Sequence, residues 1–269
     1  MNTGRNAVSS KMEKTRILLR DPELARHVPE TYPLTSVRLK QMLDRTGMVY
    51  VKPDTGSLGI GVMKVEKQGS LYRYQRGLVT RSFRTFEGMN RSIQRYTSLR
   101  PYLVQRGIHV LTRKGRPFDF RVMIQKNPSG KWEATGIAGR VAHPGKAVTN
   151  GSQGGTIYGL EELIKTKPGA ERAKRSMEKL AWLTAVQFGR AYPAMKELGL
   201  DVAVDRNGIP WILEVNTRPD PCPFTKLADQ SSIRKIVSFG KAYGRQYCLK
   251  CTKAKKPPAK GRDAPAKGR

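Results

Sequence analysis

DVAVDRNGIPWILEVNT, residues 201–217, reads as a β-hairpin. Apolar-rich runs flank Asn207-Gly208, a dipeptide suited to the positive-φ turn that reverses a strand. Side chains alternate faces along a strand, so Glu214 and Asn216 point the same way. A tight turn brings Asp201, on the partner strand, close to their level. Ile212, Leu213 and Val215 are apolar, which predicts burial on at least one side, and a buried carboxylate needs a partner or a metal. Two carboxylates and an amide oxygen suit a hard cation, above all Mg²⁺ shared with substrate phosphates. The competing reading is a plain polar face on an edge hairpin.

A second constellation lies at YVKPDTGSLGIG, residues 50–61. Lys52 ends a strand, and Gly56, Ser57, Gly59 and Gly61 follow. Glycines let the backbone approach an anion and turn N–H groups toward it, while lysine supplies a point charge. No GK[ST] follows, so this is not a P-loop. The glycines lead into a strand rather than a helix, so it is not a Rossmann fingerprint either. Taken alone, the segment reads more readily as a hairpin turn that happens to be glycine-rich.

The rest of the chain alternates strand-like and helical segments. Residues 11–26 and 36–47 have helical patterns, the second closed by Gly47 in a C-cap position. VPETYPL links them, MVYVKP is a strand, and VMKVEKQGSLYRYQR is a hairpin. A second group of strands is expected from PYLVQRGI through FDFRVMIQKNPSGKWEATGIAGRV to the opening hairpin. A long amphipathic helix from Gly169 to Leu198 and a closing helix in SSIRKIVSFGKAYGRQY complete an α+β protein with two lobes.

Composition narrows the partners. The formal net charge of the 269-residue chain is +30, which implies an anionic partner such as an acidic polymer, nucleic acid, a membrane surface or phosphorylated ligands. With 7% aromatic residues and no stacking platform, nucleic acid is disfavoured. No run is apolar enough to span a membrane, and the N-terminus lacks the apolar centre of a secretory signal, so a cytoplasmic protein is expected. The tail from residue 248 is rich in Pro, Ala and Lys and reads as disordered. Cys222 stands alone, and Cys248 with Cys251 forms one CxxC, read as a reduced pair rather than a zinc site. His27, His109 and His143 have no visible catalytic partner.

Lys52-Pro53 with its glycine-rich hairpin, then FDFRVMIQ, Asp201 and Glu214-Val215-Asn216 resemble the ATP-grasp superfamily. The resemblance is closest to its YheC/YheD-type, endospore coat-associated branch, and extends over KMEKTRILL, HVPETYPLT, LVQRGI, TNGSQGG and LDVAVDRNGIPWILEVNTRPD. It implies two lobes, each with an antiparallel sheet and helices, and ATP bound between them. Residues 31–104 would form the first lobe and 105–247 the second, after a short segment 1–30 that replaces most of the usual N-terminal lobe. Lys52 and Lys11 would contact phosphates, with Lys14 a rival for Lys11, under a flap of Gly56, Ser57, Gly59 and Gly61. The backbone of Gln105, Arg106 and Gly107 would meet adenine. Arg121 would reach the terminal phosphate. Asp201, Glu214 and Asn216 would hold Mg²⁺, and Arg140, Asn150 and Arg218 would serve the acyl phosphate or acceptor.

The implied activity is a ligase that activates a carboxylate as an acyl phosphate for attack by an amine or thiol. Amino acids or an acidic peptide are candidate substrates. Phosphoryl transfer demands positioning and charge neutralisation, so lysines, arginine and magnesium suffice without a nucleophilic side chain. Gln105 and Arg106 depart from the family pattern, standing where many relatives carry acids. The alternative is a non-catalytic, polyanion-binding or spore-coat protein on the same scaffold.

Overall fold

The computed structural model describes residues 7–149, 154–251 and 254–257. Its first lobe is a six-stranded sheet in the order β1 (Thr31–Pro33), β6 (Tyr102–Arg106), β2 (Met48–Pro53), β3 (Met63–Gln68), β4 (Leu71–Arg76) and β5 (Val79–Phe83). Every pairing is antiparallel. Two helices cover one face. Helix α3 (Ser36–Thr46) is capped by Thr35, and α4 (Phe86–Thr97) by Thr85, each hydroxyl accepting from a backbone N–H 3.1 Å away. Their apolar stripes, Leu39, Met42 and Leu43 against Phe86, Met89 and Ile93, meet Val49, Val51, Val65 and Val104 of the sheet. Each such side chain contributes roughly 1.5–3 kcal/mol on full burial.

The second sheet runs β10 (Thr156–Tyr158), β9 (Trp132–Val141), β8 (Arg116–Lys126), β11 (Glu197–Val204) and β12 (Pro210–Asn216), with the short β7 (Thr112–Arg113) beside β8. Alternation along β8 places the site. Phe118, Phe120, Val122 and Ile124 face a core completed by α1 (Lys11–Leu18) and α6 (Lys167–Ala191). Met123, on the opposite face, packs under α7 (Ser231–Ala242) and Phe224 of a 3-10 turn at Cys222–Lys226. Asp119 and Arg121 share that second face, beyond the reach of α7, and there the sheet meets the first lobe. Short helices α2 (Pro22–Ala25) and α5 (Leu160–Leu163) complete the elements.

Helix α1 ties the lobes together. Its first turn hangs on Asp54 of the first lobe, whose Oδ1 accepts from Met12 N at 2.8 Å and Ser10 Oγ at 3.0 Å. Its Ile17 and Leu18 are buried in the second lobe's core.

Several sequence expectations change. The helical stretch 11–26 is two helices, because Asp21 caps a new start at Pro22. PYLVQRGI supplies β6, which lies inside the first sheet rather than opening the second; an expected lobe boundary at 104/105 therefore falls within a strand. The long helix ends at Ala191, ahead of Pro193, and Glu197-Leu198 begin β11. The closing helix ends at Ala242. The strand and helix at β5 and α4 had not been anticipated.

The cysteine reading is corrected: Cys222 and Cys251 are disulfide-bonded across 29 residues, and Cys248 is exposed and unbonded. The cause lies in the chain just after Tyr247, part of the stretch expected to be disordered. It returns along β10, where Ile157 N donates to Lys255 O at 3.0 Å and Lys226 Nζ to Cys251 O at 2.7 Å. Ala254 packs against the α7 core. Among the described residues no helix is long and apolar enough to cross a membrane.

Candidate active site between the lobes

The β11–β12 register pairs Asp201 with Glu214 and Gly199 with Asn216. A register shift after Asp201 leaves Leu213 as the extra residue of a bulge. Ile212 and Val215 face the core, while Asp201 and Glu214 line a cavity beneath the first lobe. The turn is five residues long and held by Asp205, whose Oδ1 accepts from Asn207 N and Ile209 N, both at 2.9 Å.

Neighbouring strands bring opposite charges onto Asp201. Arg121 is its register partner on β8, and its Nε donates to Oδ1 at 2.7 Å. Arg140 Nη2 on β9 lies 3.0 Å from Oδ2. Arg140 is also gripped by Asp119, its own register partner, at 2.8 and 2.6 Å in a bidentate pair, and Thr149 Oγ1 donates to Asp119 Oδ2 at 2.6 Å. All four charged groups are buried. Burial by itself would push the Asp201 carboxyl up, but Arg121 and Arg140 overcome it and hold it well below the usual carboxylate range.

Three lysines complete the cluster. Lys11 Nζ stands 3.6 Å and Lys14 Nζ 3.9 Å from Glu214 Oε1, so the rival lysines converge on one carboxylate from successive turns of α1. Lys11 also donates to Gly56 O at 2.8 Å. Lys52 Nζ lies 3.4 Å from Leu213 O. Burial lowers the Lys14 pKa and brings that of Lys52 to about 8, against the opposing pull of Glu214.

The roof is the glycine loop. Gly56 and Gly59 adopt φ of 112° and 71°, backbone that only glycine takes without strain, and both line the cavity with Ser57. Gly61 faces away; a Cβ built there would lie 3.0 Å from Tyr102 Oη. At the back, Gln105 lines the cavity but spends its side chain on Thr31 Oγ1 at 3.0 Å. The N–H groups of Arg106 and Gly107 donate to Glu30 O and Met48 O at 2.8 and 2.9 Å, and the wall continues through Ile108 and Val110. Arg121 lies below the lining, held by Asp201. Arg218 is exposed beyond β12 and outside the lining. Asn150 falls outside the described residues. His27 is structural, its Nδ1 2.7 Å from Pro210 O.

Asp119 and Thr149 were missed from sequence. The available signal was spacing: Asp119 and Arg121 in FDFR stand two apart, hence on one strand face.

The charges sum in one direction. Around the cavity, Lys11, Lys14, Lys52, Arg106, Arg121 and Arg140 oppose Asp119, Asp201 and Glu214, six cations against three carboxylates. A cavity whose surrounding cations outnumber its carboxylates attracts an anion.

Comparison with known proteins settles the family. A family model described as YheC/D like ATP-grasp matches residues 3–245. The chain belongs to the YheC/D-like ATP-grasp family. It is 31% identical to the endospore coat-associated protein YheD of Bacillus subtilis over 248 residues, which cover 86% of this chain and 53% of YheD. The chain thus spans about half the length of the curated relatives it matches. Among solved structures, the C-terminal domain of K. lactis Pby1, an ATP-grasp enzyme, superposes with TM-score 0.52 at 16% identity, covering 91% of this chain and 76% of that one. N5-carboxyaminoimidazole synthase from Aspergillus clavatus, in complex with ADP and 5-aminoimidazole ribonucleotide, gives 0.53 at 11%, covering 92% and 54%. The two antiparallel lobes are the ATP-grasp fold.

Proposed function

We propose that this chain is an ATP- and Mg²⁺-dependent ligase that joins a carboxylate to an amine or similar nucleophile. The observation that carries this reading is the meeting of Lys11, Lys52 and Arg140 with Asp201 and Glu214 at one cavity roofed by the Gly56–Gly59 loop, with Lys14 also against Glu214. The lysines approach from α1 and β2 and would bind the phosphates of ATP, with the loop's backbone above them. The carboxylate attacks the terminal phosphorus, the bond to ADP breaks, and an acyl phosphate forms. Arg140, locked in orientation by Asp119, would neutralise the charge that develops on the transferred group. The amine then attacks the acyl carbon, phosphate leaves, and the amine's proton passes to solvent. No side-chain nucleophile is required.

The donor set fits a magnesium ion shared with substrate. Among the described residues no group of three or more His, Cys, Asp or Glu could hold a metal by itself. Mg²⁺ normally takes only one or two carboxylates and completes its shell with phosphate oxygens and water. Asp201 and Glu214 would supply those carboxylates. Asn216 Nδ2 donates to Gly199 O at 3.3 Å, which leaves its carbonyl oxygen as an acceptor. Each Asp201 oxygen has one arginine contact and retains a second lone-pair direction. When bound, the ion would offset the negative charge of the phosphates. For Arg121 to reach the terminal phosphate it would have to leave Asp201.

The test is phosphate release from Mg-ATP with pooled amino acids or acidic peptides. A pool that stimulates release, with Glu214→Gln losing both turnover and nucleotide affinity, supports the ligase. No stimulation by any pool, together with unchanged affinity in Glu214→Gln, leaves the polyanion-binding alternative.

A further inference from the structure

Residues 71–100 contain seven arginines, no lysine and one acid, Glu87: seven minus one is +6 of the chain's +30. One fifth of the net charge therefore sits in one ninth of the length. These residues form β4, β5 and α4, a single hairpin-and-helix unit at the end of the first sheet. Among the described residues, Arg73 alone of the seven has a carboxylate partner, Glu66 at 2.8 Å. Arg76, Arg81, Arg84, Arg91, Arg95 and Arg100 are exposed. Arg76 is laid over the Tyr96 ring, 4.4 Å from its centroid, which holds its planar group in place.

So many like charges repel and destabilise the unit that carries them. The exclusive use of arginine points to recognition. Its rigid fork pairs bidentately with carboxylate or phosphate and is less strongly hydrated than an ammonium. The backbone discriminates between those partners. β5 is the last strand of its sheet, bonded to β4 alone, and Val79–Ser82 are all exposed. Leu78 and Val79 at the hairpin tip are 64% and 58% exposed. An open strand edge with apolar and cationic side chains is suited to an added strand. A nucleic acid could use the arginines but not that edge, and the unit's Tyr and Phe rings are not among the exposed residues that stacking would need.

We propose that the β4–β5–α4 unit is a docking edge for an extended acidic polypeptide, which adds to β5 as a strand and pairs its carboxylates with the arginines. The unit also leads toward the cavity. Gln75 Nε2 donates to Gly145 O, bridging the lobes, and the same loop continues into Ala147, Val148 and Thr149 of the cavity wall. That the docked chain supplies the reacting carboxylate rests on the ligase reading; the docking itself does not.

The test uses the full chain without nucleotide, with fluorescence anisotropy of labelled oligoglutamate and hydrogen exchange. The expected result is binding that weakens about tenfold in Arg81→Glu/Arg84→Glu and by less than about twofold in Lys165→Glu/Lys167→Glu, an equal charge change on another exposed surface. Arg81→Lys/Arg84→Lys should fall between, and β5 amides should gain protection when peptide binds. Equal loss in both charge-reversal pairs, no protection at β5, or tighter binding of an oligothymidylate of matched length would each overturn the proposal. Thermal melts confirm that the variants fold, and Glu substitution at these repelling sites should not lower the midpoint. Phosphate release driven by small amino acids, without oligoglutamate binding, would sink the docking edge and leave the ligase. Binding without turnover would do the reverse.

Discussion

Lys52 gives a pH prediction that can be worked from the structure. Its amino group is enclosed at the cavity floor beneath the Gly56–Gly59 loop, although the residue as a whole is only partly buried. Burial is the largest influence and lowers the pKa from 10.5 to about 8; Glu214 resists, while Lys11 and Lys14 add repulsion. That lowering favours the neutral amine in the folded protein by at most roughly 3 kcal/mol, at about 1.36 kcal/mol per pKa unit. Between the folded and unfolded values the unfolded chain holds the proton and the folded chain does not. Stability of the free protein should therefore rise with pH from about 8 toward 10.5, the opposite of a lysine held by a salt bridge. Phosphate binding requires the ammonium form. Nucleotide affinity should fall as pH rises through about 8, approaching tenfold per unit above it, with about half a proton taken up per nucleotide at the midpoint. Calorimetry in buffers of different ionisation enthalpy measures that uptake directly. Lys52→Met should bind more weakly and lose the uptake. Lys14→Met, whose lysine is also lowered by burial, should retain most of it. Affinity that stays flat across this range, or undiminished uptake in Lys52→Met, would refute the reasoning.

Four further outcomes follow from specific contacts. Asp119→Asn removes the bidentate partner of buried Arg140 and should cost about 3–5 kcal/mol in a denaturant melt, with a larger loss of turnover than of nucleotide affinity. Glu214→Gln leaves Lys11 and Lys14 without their shared carboxylate; nucleotide binding should lose its dependence on added magnesium in titration calorimetry. Gly107→Ala would put a Cβ 2.6 Å from Met48 Cε and 2.9 Å from its carbonyl oxygen, so the melting midpoint should drop by the equivalent of about 1–3 kcal/mol. Cys222→Ser opens a covalent loop of 29 residues and should cost about 3–4 kcal/mol under non-reducing conditions, while peptide mapping should show the Cys222–Cys251 link in the parent protein.

The hairpin at 201–217 was legible because its information is local. Alternation and a turn dipeptide signalled the hairpin, but the turn is five residues long rather than tight, and a bulge at Leu213 restores the pairing of Asp201 with Glu214. The glycine loop was legible for the same reason, since positive φ leaves a residue-type signature. What stayed hidden depends on contacts between distant strands. Asp201's partners, Arg121 and Arg140, come from β8 and β9, about 80 and 60 residues away in sequence, and local pattern does not fix that register. FDFR looked like a strand with one useful arginine, whereas the register gave Asp119 a structural claim on Arg140. β6 was assigned to the wrong sheet because an apolar run does not state its neighbours. The disulfide was missed because the chain after Tyr247 has little internal pattern, and its placement along β10 comes from contacts with residues far upstream.

The central claim is that this cavity transfers phosphate from ATP to a carboxylate. Incubation with Mg-ATP, an amine donor and acidic peptides carrying heavy-oxygen-labelled carboxylates, followed by mass spectrometry of the released phosphate, tests it most directly. The account predicts that one labelled oxygen passes from carboxylate to phosphate for each bond made, and that Glu214→Gln abolishes the transfer. ATP turnover that releases only unlabelled phosphate would contradict it.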